Sequence, residues 1–174
     1  MRIGWVVAAV LLSGCVLHAP APLFTEADAV PLFGSQNQKF AIYEMKDGAW
    51  VAEADPMLRA VSAGHHYPVA DPSETNRNLV DSYAFIPLDG KRFIVQAETG
   101  GEPGADNAIA TWDGTELLVS PLACETLESS RKAKSLVSFD NGDCAPKGGA
   151  MPRLQMFAKL AVVAGPPLFR FVRQ

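Results

Sequence analysis

The chain has 174 residues, of which 48% are hydrophobic and 20% are charged, and its formal net charge is −4. These proportions are typical of a globular protein and exclude an intrinsically disordered chain. Because the balance is acidic and no basic stripe is present, we expect no nucleic-acid partner and no electrostatic adhesion to anionic lipid.

The first residues have the features of a bacterial export signal. Arg2 supplies a positive charge, and residues 3–12 form an uncharged apolar run. This run is shorter than the roughly 20 apolar residues that a membrane-spanning helix needs, but it suits the core of a signal peptide. It ends at Leu12-Ser13-Gly14-Cys15, which resembles the lipobox of bacterial lipoproteins.

The resemblance implies a lipid anchor on Cys15. In that family the cysteine thiol receives a diacylglyceryl group, the signal peptide is cut just before the cysteine, and the new amine is acylated. Each buried methylene of an acyl chain contributes about 0.8 kcal/mol, so several chains hold a protein on a membrane. Val16 follows in place of the aspartate that favours inner-membrane retention, which implies the periplasmic side of the outer membrane.

Two other interpretations of this segment stay open. One is an ordinary secretory signal with a stray cysteine, and the other is a cytosolic protein with a buried first helix. The second fits poorly, because Pro20 and Pro22 follow at once and a core helix needs a polar face.

Residues 16–31 (VLHAPAPLFTEADAVP) contain three prolines and no sustained periodicity, which predicts a semi-rigid tether. Its outer end has apolar residues that can dock on the domain, namely Leu23, Phe24, Leu32 and Phe33. The predicted organisation is a signal peptide over 1–14, a lipidated cysteine and tether over 15–33, and a single globular domain over 34–174.

Three Asp-Gly pairs predict β-hairpins in this domain. They lie at positions 47–48, 89–90 and 113–114, and each lies between two alternating apolar runs. Asp-Gly favours such turns because both central residues need a positive φ. The predicted fold class is therefore α+β, with a β-rich antiparallel sheet of hairpins.

The remaining segments complete the predicted fold. We expect a short helical turn and a long loop over 55–78, a short exposed helix over 126–136 and a last strand over 168–173. Residues 152–163 predict an amphipathic helix with Leu154, Phe157 and Ala161 on one face. We expect this helix to complete one core with the sheet, through Met156, Phe157 and Leu160 against Phe85, Ile94 or Trp112.

With Cys15 assigned to lipid, Cys124 and Cys144 remain as an even pair in an oxidising compartment. We predict a structural disulfide between them, which stabilises the fold by roughly 3 kcal/mol in the chain-entropy model. No C-x-x-C motif accompanies them, so neither a metal site nor a cofactor is expected.

Two short motifs resemble parts of known sites without their partners. Ser129-Ser130-Arg131-Lys132 matches the S-x-x-K motif of penicillin-binding enzymes, but no S-D-N or K-T-G follows, and a solvated polar helix explains it better. Residues 140–143 (DNGD) resemble a fragment of a calcium loop that lacks the bidentate glutamate, so a tight turn is expected. We therefore assign no catalytic residue.

The adjacent residues His65, His66 and Tyr67 form a candidate binding loop. Asp71 or Glu74 could add a metal ligand, but no recognised spacing supports one. Residues 63–67 (AGHHY) resemble the serine-glycine-x-x-tyrosine loop of small bacterial lysozyme inhibitors, which are often lipoproteins with a closed β-sheet and a disulfide. The chain departs from that pattern at Ala63, where the family has serine, and its two remaining cysteines lie at other positions than in that family.

The sequence as a whole predicts a non-enzymatic envelope lipoprotein with a structural or interaction role. Its expected partners are the membrane, through the anchor on Cys15, and an envelope protein. A lysozyme-inhibitor-like binding module is the alternative, and a hydrolase with an unrecognised site is the third interpretation.

Overall fold

The computed structural model describes residues 15–34, 38–52, 58–60, 66–70, 81–98, 103–148 and 151–174. Within these ranges, the strands are β1 (His18–Ala19), β2 (Gln38–Lys46), β3 (Ala49–Ala52), β4 (Leu58–Ala60), β5 (His66–Ala70), β6 (Asp81–Asp89), β7 (Arg92–Glu98), β8 (Ala105–Trp112), β9 (Glu116–Pro121), β10 (Val137–Asp140), β11 (Asp143–Pro146) and β12 (Phe169–Arg173). The α-helices are α1 (Cys124–Ser129), α2 (Arg131–Lys134) and α3 (Arg153–Leu160).

Ten of the strands form one antiparallel sheet, and this sheet closes on itself. Its order runs β8-β7-β6-β5-β4-β2-β12-β9, and β9 pairs back with β8. The short strand β1 adds to β8, while β3 adds to β2. A separate hairpin is formed by β10 and β11. The predicted class, a β-rich antiparallel α+β fold with a C-terminal helix, is confirmed.

The three predicted Asp-Gly hairpins are confirmed as β2–β3, β6–β7 and β8–β9. At the first of them Asp47 has φ 52° and Gly48 has φ 81°, which is the left-handed backbone that the turn requires. The tight turn expected at 140–143 joins β10 to β11, and the predicted last strand is β12, which lies between β2 and β9.

Buried apolar residues inside the closed sheet form what we call the inner cluster. Apart from Phe33, which precedes β2, its members come from β2, β6, β7, β8, β9 and β12, and they share one face of these strands. They are Phe33, Phe40, Phe85, Val95, Ala108, Ala110, Leu117, Val119 and Phe169. Three ring contacts centre on Phe33, which lies 4.8 Å from Phe40, 5.0 Å from Phe85 and 5.3 Å from Trp112 between ring centroids.

A second group of buried residues, the outer cluster, covers the other face of β6, β7 and β8. It combines strand residues with the helices, the β10–β11 hairpin and the segment that precedes β2. Its larger members are Leu17, Phe24, Ile86, Ile94, Ile109, Leu122, Leu127, Leu136, Val137, Met156, Phe157 and Leu160. The structure thus has two clusters on opposite faces of one sheet, where we expected one core.

The C-terminal helix packs on the sheet through the predicted residues, since Met156, Phe157 and Leu160 are all buried in the outer cluster. Of its expected partners, Ile94 shares that cluster. Phe85 and Trp112 belong to the inner cluster instead, because successive strand residues point to opposite faces. The expected position of Leu154 is also wrong, because its side chain is 47% exposed.

The tether predicted within 15–33 is contradicted, because this segment is part of the packed structure. Leu17 and Ala19 are fully buried, and Phe24, Ala29 and Phe33 are at most 7% exposed. Phe24 and Phe33 dock as expected, and Leu17, Ala19 and Ala29 are buried as well. Its prolines do not prevent packing, because β1 needs only two residues to pair with β8.

Two other segment predictions need correction. Within 55–78, the described residues are strands β4 and β5, because pairing with β2 and β6 gives extended structure where the sequence shows no clear period. Over 126–136 the chain forms two short helices, α1 and α2, which meet at Ser130. They are not simply exposed, because Leu127 and Ala133 are fully buried.

Candidate lipid-attachment site

The residue that the lipobox resemblance marks, Cys15, lies at the edge of the folded domain. Its side chain is exposed, and it is the free cysteine of the described residues. Its carbonyl oxygen accepts a hydrogen bond from the Cys124 amide at 2.7 Å. The next residue, Val16, forms an antiparallel bridge with Ala123. The thiol is therefore open to solvent while the backbone beside it is held.

Leu17, the residue after Val16, is hydrogen-bonded through both of its backbone polar groups. The Leu17 amide donates to the Leu122 carbonyl at 2.9 Å, and the Leu17 carbonyl accepts from the Asn107 amide at 3.0 Å. The Asn107 side chain is 2% exposed, and its Nδ2 donates to the Ala105 carbonyl at 3.0 Å. This strand residue was not anticipated, although a polar residue at a buried strand position is the signal that could have found it.

The predicted disulfide is present and adjoins this edge. Cys124 and Cys144 have an S–S distance of 2.11 Å and Cα atoms 5.5 Å apart, which is normal disulfide geometry. Leu17 forms a parallel bridge with Cys144, and the Cys124 amide donates to Cys15, so both half-cystines contact the segment that starts at Cys15. The bond links α1 to β11 and thereby fixes the two elements on which this segment rests.

A second buried polar side chain, Gln96 on β7, holds the segment further along. Its Oε1 accepts from the amides of Leu23 at 2.9 Å and Phe24 at 3.0 Å, and its Nε2 donates to the Phe24 carbonyl at 3.2 Å. Because Gln96 is fully buried, these bonds replace water for three backbone groups. Arg153 on α3 also donates to the Leu23 carbonyl.

One imidazole–carboxylate pair lies on β1. His18 Nδ1 is 2.9 Å from Asp106 Oδ1, with the His18 side chain 48% exposed. Gly104 lies against this pair, and a β carbon there would approach His18 Nε2 to 2.6 Å. Glycine is therefore required at this position. Its φ of 104° also favours glycine, because residues with a side chain rarely adopt this backbone conformation. Because His18 lies on β1 and Asp106 on β8, the pair joins these two strands.

The carboxylates with shifted pKa values lie at turns. The amides of Thr115 and Glu116 donate to Asp113 and lower its pKa. The Arg92 guanidinium hydrogen-bonds to Asp89 and lowers the pKa of that carboxyl, while the pKa of Arg92 is raised. The Thr25 amide donates to Asp28 and likewise lowers the pKa of its carboxyl group. The hydrogen bonds that cause these pKa shifts stabilise local turns, and none of the shifts marks a proton-transfer site.

The serine-lysine motif at 129–132 has structural contacts. Ser129 Oγ donates to the Thr126 carbonyl at 2.8 Å, and Ser130 Oγ accepts from the Ala133 amide at 3.4 Å as the N-cap of α2. Neither hydroxyl hydrogen-bonds to Lys132 in these contacts. The polar-helix interpretation of the motif agrees with this arrangement.

The candidate binding loop lies only partly within the described residues. His65 is outside them, while His66 and Tyr67 begin β5 and pair with Ala84 and Tyr83 of β6. Among the residues that the structure describes, no group of three or more histidine, cysteine or acidic side chains could hold a metal ion.

Comparison of the chain with protein-family models, with curated proteins and with solved structures found no match. None of the helices in the described ranges is long and apolar enough to cross a membrane.

Proposed function

We propose that this protein is a lipoprotein of the bacterial cell envelope, anchored by lipid on Cys15 and serving a structural or interaction role. The observation that carries the proposal is the position of one exposed free thiol at the cysteine of a lipobox-like sequence. The other two cysteines are joined to each other, so their pairing leaves Cys15 available for modification.

The lipid anchor is attached to a stably folded domain. A closed sheet has no long unpaired edge, and the outer layer is fastened by a disulfide. Disulfides persist in oxidising compartments such as the periplasm, which supports export of this chain. The proposed location is the periplasmic side of the outer membrane, on the basis of Val16 after the cysteine.

The experiment expresses the protein in a bacterial host and follows labelled fatty acid and membrane fractionation. Cys15→Ser is expected to lose the label and to leave either released protein or uncleaved precursor. Ser13→Ala is the matched control, because it keeps a small residue before the cleavage site and should be labelled like the wild type. Equal labelling of the wild type and Cys15→Ser would contradict the proposal.

A lysozyme-inhibitor-like function is the second candidate. The closed antiparallel sheet agrees with the architecture that the resemblance to those inhibitors implies, although the two cysteines lie at other positions than in that family. We expect the purified domain to inhibit lysozyme, with inhibition lost in Tyr67→Ala and kept in the control Tyr43→Ala. A wild-type domain without inhibitory activity would exclude this candidate and leave the anchored interaction role.

A further inference from the structure

Cys15 is itself part of the packed structure, so a lipid on its thiol has no spacer between it and the domain. The Cys15 carbonyl is hydrogen-bonded to the Cys124 amide at 2.7 Å, and Val16 bridges to Ala123. Leu17 is already fully buried. An anchor at this position therefore brings the surface around Cys15 close to the membrane.

The surface beside the thiol is the turn between β10 and β11. A β carbon placed on Gly142 would lie 3.9 Å from Cys15 Sγ. Asn141 and Gly142 form the tip of the turn, and Asp140 and Asp143 flank it as a paired position. All four residues are exposed. A diacylglyceryl group on the thiol would therefore start next to this turn.

We propose that the edge formed by Cys15 and residues 140–143 rests against the lipid headgroups and fixes the orientation of the domain on the bilayer. This inference rests on the lipid anchor of the proposed function. The edge is polar, so it lies at the headgroup level and does not enter the hydrocarbon. Its two aspartates favour zwitterionic headgroups with amine donors over an anionic surface.

The opposite end of the sheet points away from the bilayer in this orientation. Asn107, which pairs with Leu17, is separated from Trp112 by most of β8. At about 3.4 Å per strand residue this stretch spans roughly 17 Å. The hairpin turns at Lys91 and Asp113 adjoin that far end, since the Trp112 amide donates to the Lys91 carbonyl at 2.9 Å.

The test uses tryptophan fluorescence of the mature lipidated protein in vesicles of phosphatidylcholine and phosphatidylethanolamine that contain brominated phosphatidylcholine. Asp143→Trp reports on the proposed contact, with Asp140→Trp as a second reporter if the first variant does not fold. Lys91→Trp is the matched control on an exposed turn at the far end. The quenching of the added fluorescence is expected to be several-fold greater at position 143 than at position 91.

A spacer variant separates attachment from orientation. An eight-residue Gly-Ser insertion after Cys15 has a reach of about 16 Å, which should bring quenching at position 143 down towards that at position 91. Intact mass measured first distinguishes the failures: a mature protein without acyl mass overturns both this inference and the proposed anchor. Acylated protein with equal quenching at both positions, or quenching that the spacer leaves unchanged, overturns the orientation alone.

Discussion

The inner and outer clusters lie on opposite faces of the same strands, yet they are assembled from different parts of the chain. Nearly all of the inner cluster comes from alternating residues of strands, with Phe33 added at one end. The outer cluster depends on segments that are not part of the ring: residues 17–29, the helices and the β10–β11 hairpin. A sheet face can thus be buried by its own closure or by attached segments, and only the attached layer carries the candidate anchor.

The largest expected effect is at the centre of the outer cluster. Phe157 is fully buried and lies 5.6 Å from Phe24 between ring centroids. Phe157→Ala should lower the free energy of unfolding by about 3–5 kcal/mol and the melting temperature by roughly 10 °C. Lys159→Ala on the exposed side of α3 is the control and should change the melting temperature little. Small and equal effects would mean that α3 does not pack on the sheet.

A matching substitution in the inner cluster tests whether the two faces of the sheet pack independently. Phe33→Ala removes the ring that contacts Phe40, Phe85 and Trp112, and we expect a loss of about 3 kcal/mol. It should also change the near-ultraviolet circular dichroism of Trp112, whereas Phe157→Ala should leave that signal largely intact. Identical spectral changes in the two variants would argue against separate clusters.

The next prediction concerns the polar contact between the outer layer and β7. Gln96→Leu leaves the amides of Leu23 and Phe24 without their acceptor, and we expect a loss of about 2 kcal/mol. Limited proteolysis should then cleave within 15–33 sooner than in the wild type. Gln155→Leu, at an exposed position on α3, is the control. If Gln96→Leu stabilised the protein, the segment would not be bound to this glutamine.

The smallest effect is expected at a turn, through pH. Asp113 accepts from the amides of Thr115 and Glu116, which lower its pKa from the ordinary value of 3.8. A lowered carboxyl pKa stabilises the fold above the unfolded value, and this stabilisation is lost as the pH falls through the folded pKa. The stability difference between the wild type and Asp113→Asn should therefore shrink below about pH 4.

Denaturant titrations on either side of that pH measure this difference. Glu128→Gln, which removes one exposed carboxylate from α1, is the charge-matched control. A difference between the wild type and Asp113→Asn that stays constant with pH would show that the carboxylate charge has no role in the turn.

The hairpins were predictable because their signal is local: each turn contains a glycine with a positive φ, and at Asp47-Gly48 both residues adopt one. Closure of the sheet was not, because the pairing of β12 with β2 and β9 joins strands far apart in sequence. The packing of 15–33 was missed for a related reason. Its apolar residues have no regular period, and their partners Gln96 and Asn107 lie on distant strands.

The candidate site also has one part that the sequence predicts and one part that it does not. Cys15 and the disulfide cysteines are identified by residue type and position alone, and the disulfide is confirmed. The proximity of Cys15 to the turn at 140–143 depends on tertiary structure, because the disulfide places β11 beside the start of the domain. Sequence periodicity carries no information about such a contact.

The central claim is that the chain is folded into the outer layer from Cys15 onward. Hydrogen exchange followed by mass spectrometry on the non-lipidated Cys15→Ser protein tests it, since the amides of Leu17 and Val30 donate to Leu122 and Phe85 at 2.9 Å each. Peptides from 16–30 should exchange as slowly as those from β7. Exchange of 16–30 within seconds, as in an unstructured chain, would contradict the account.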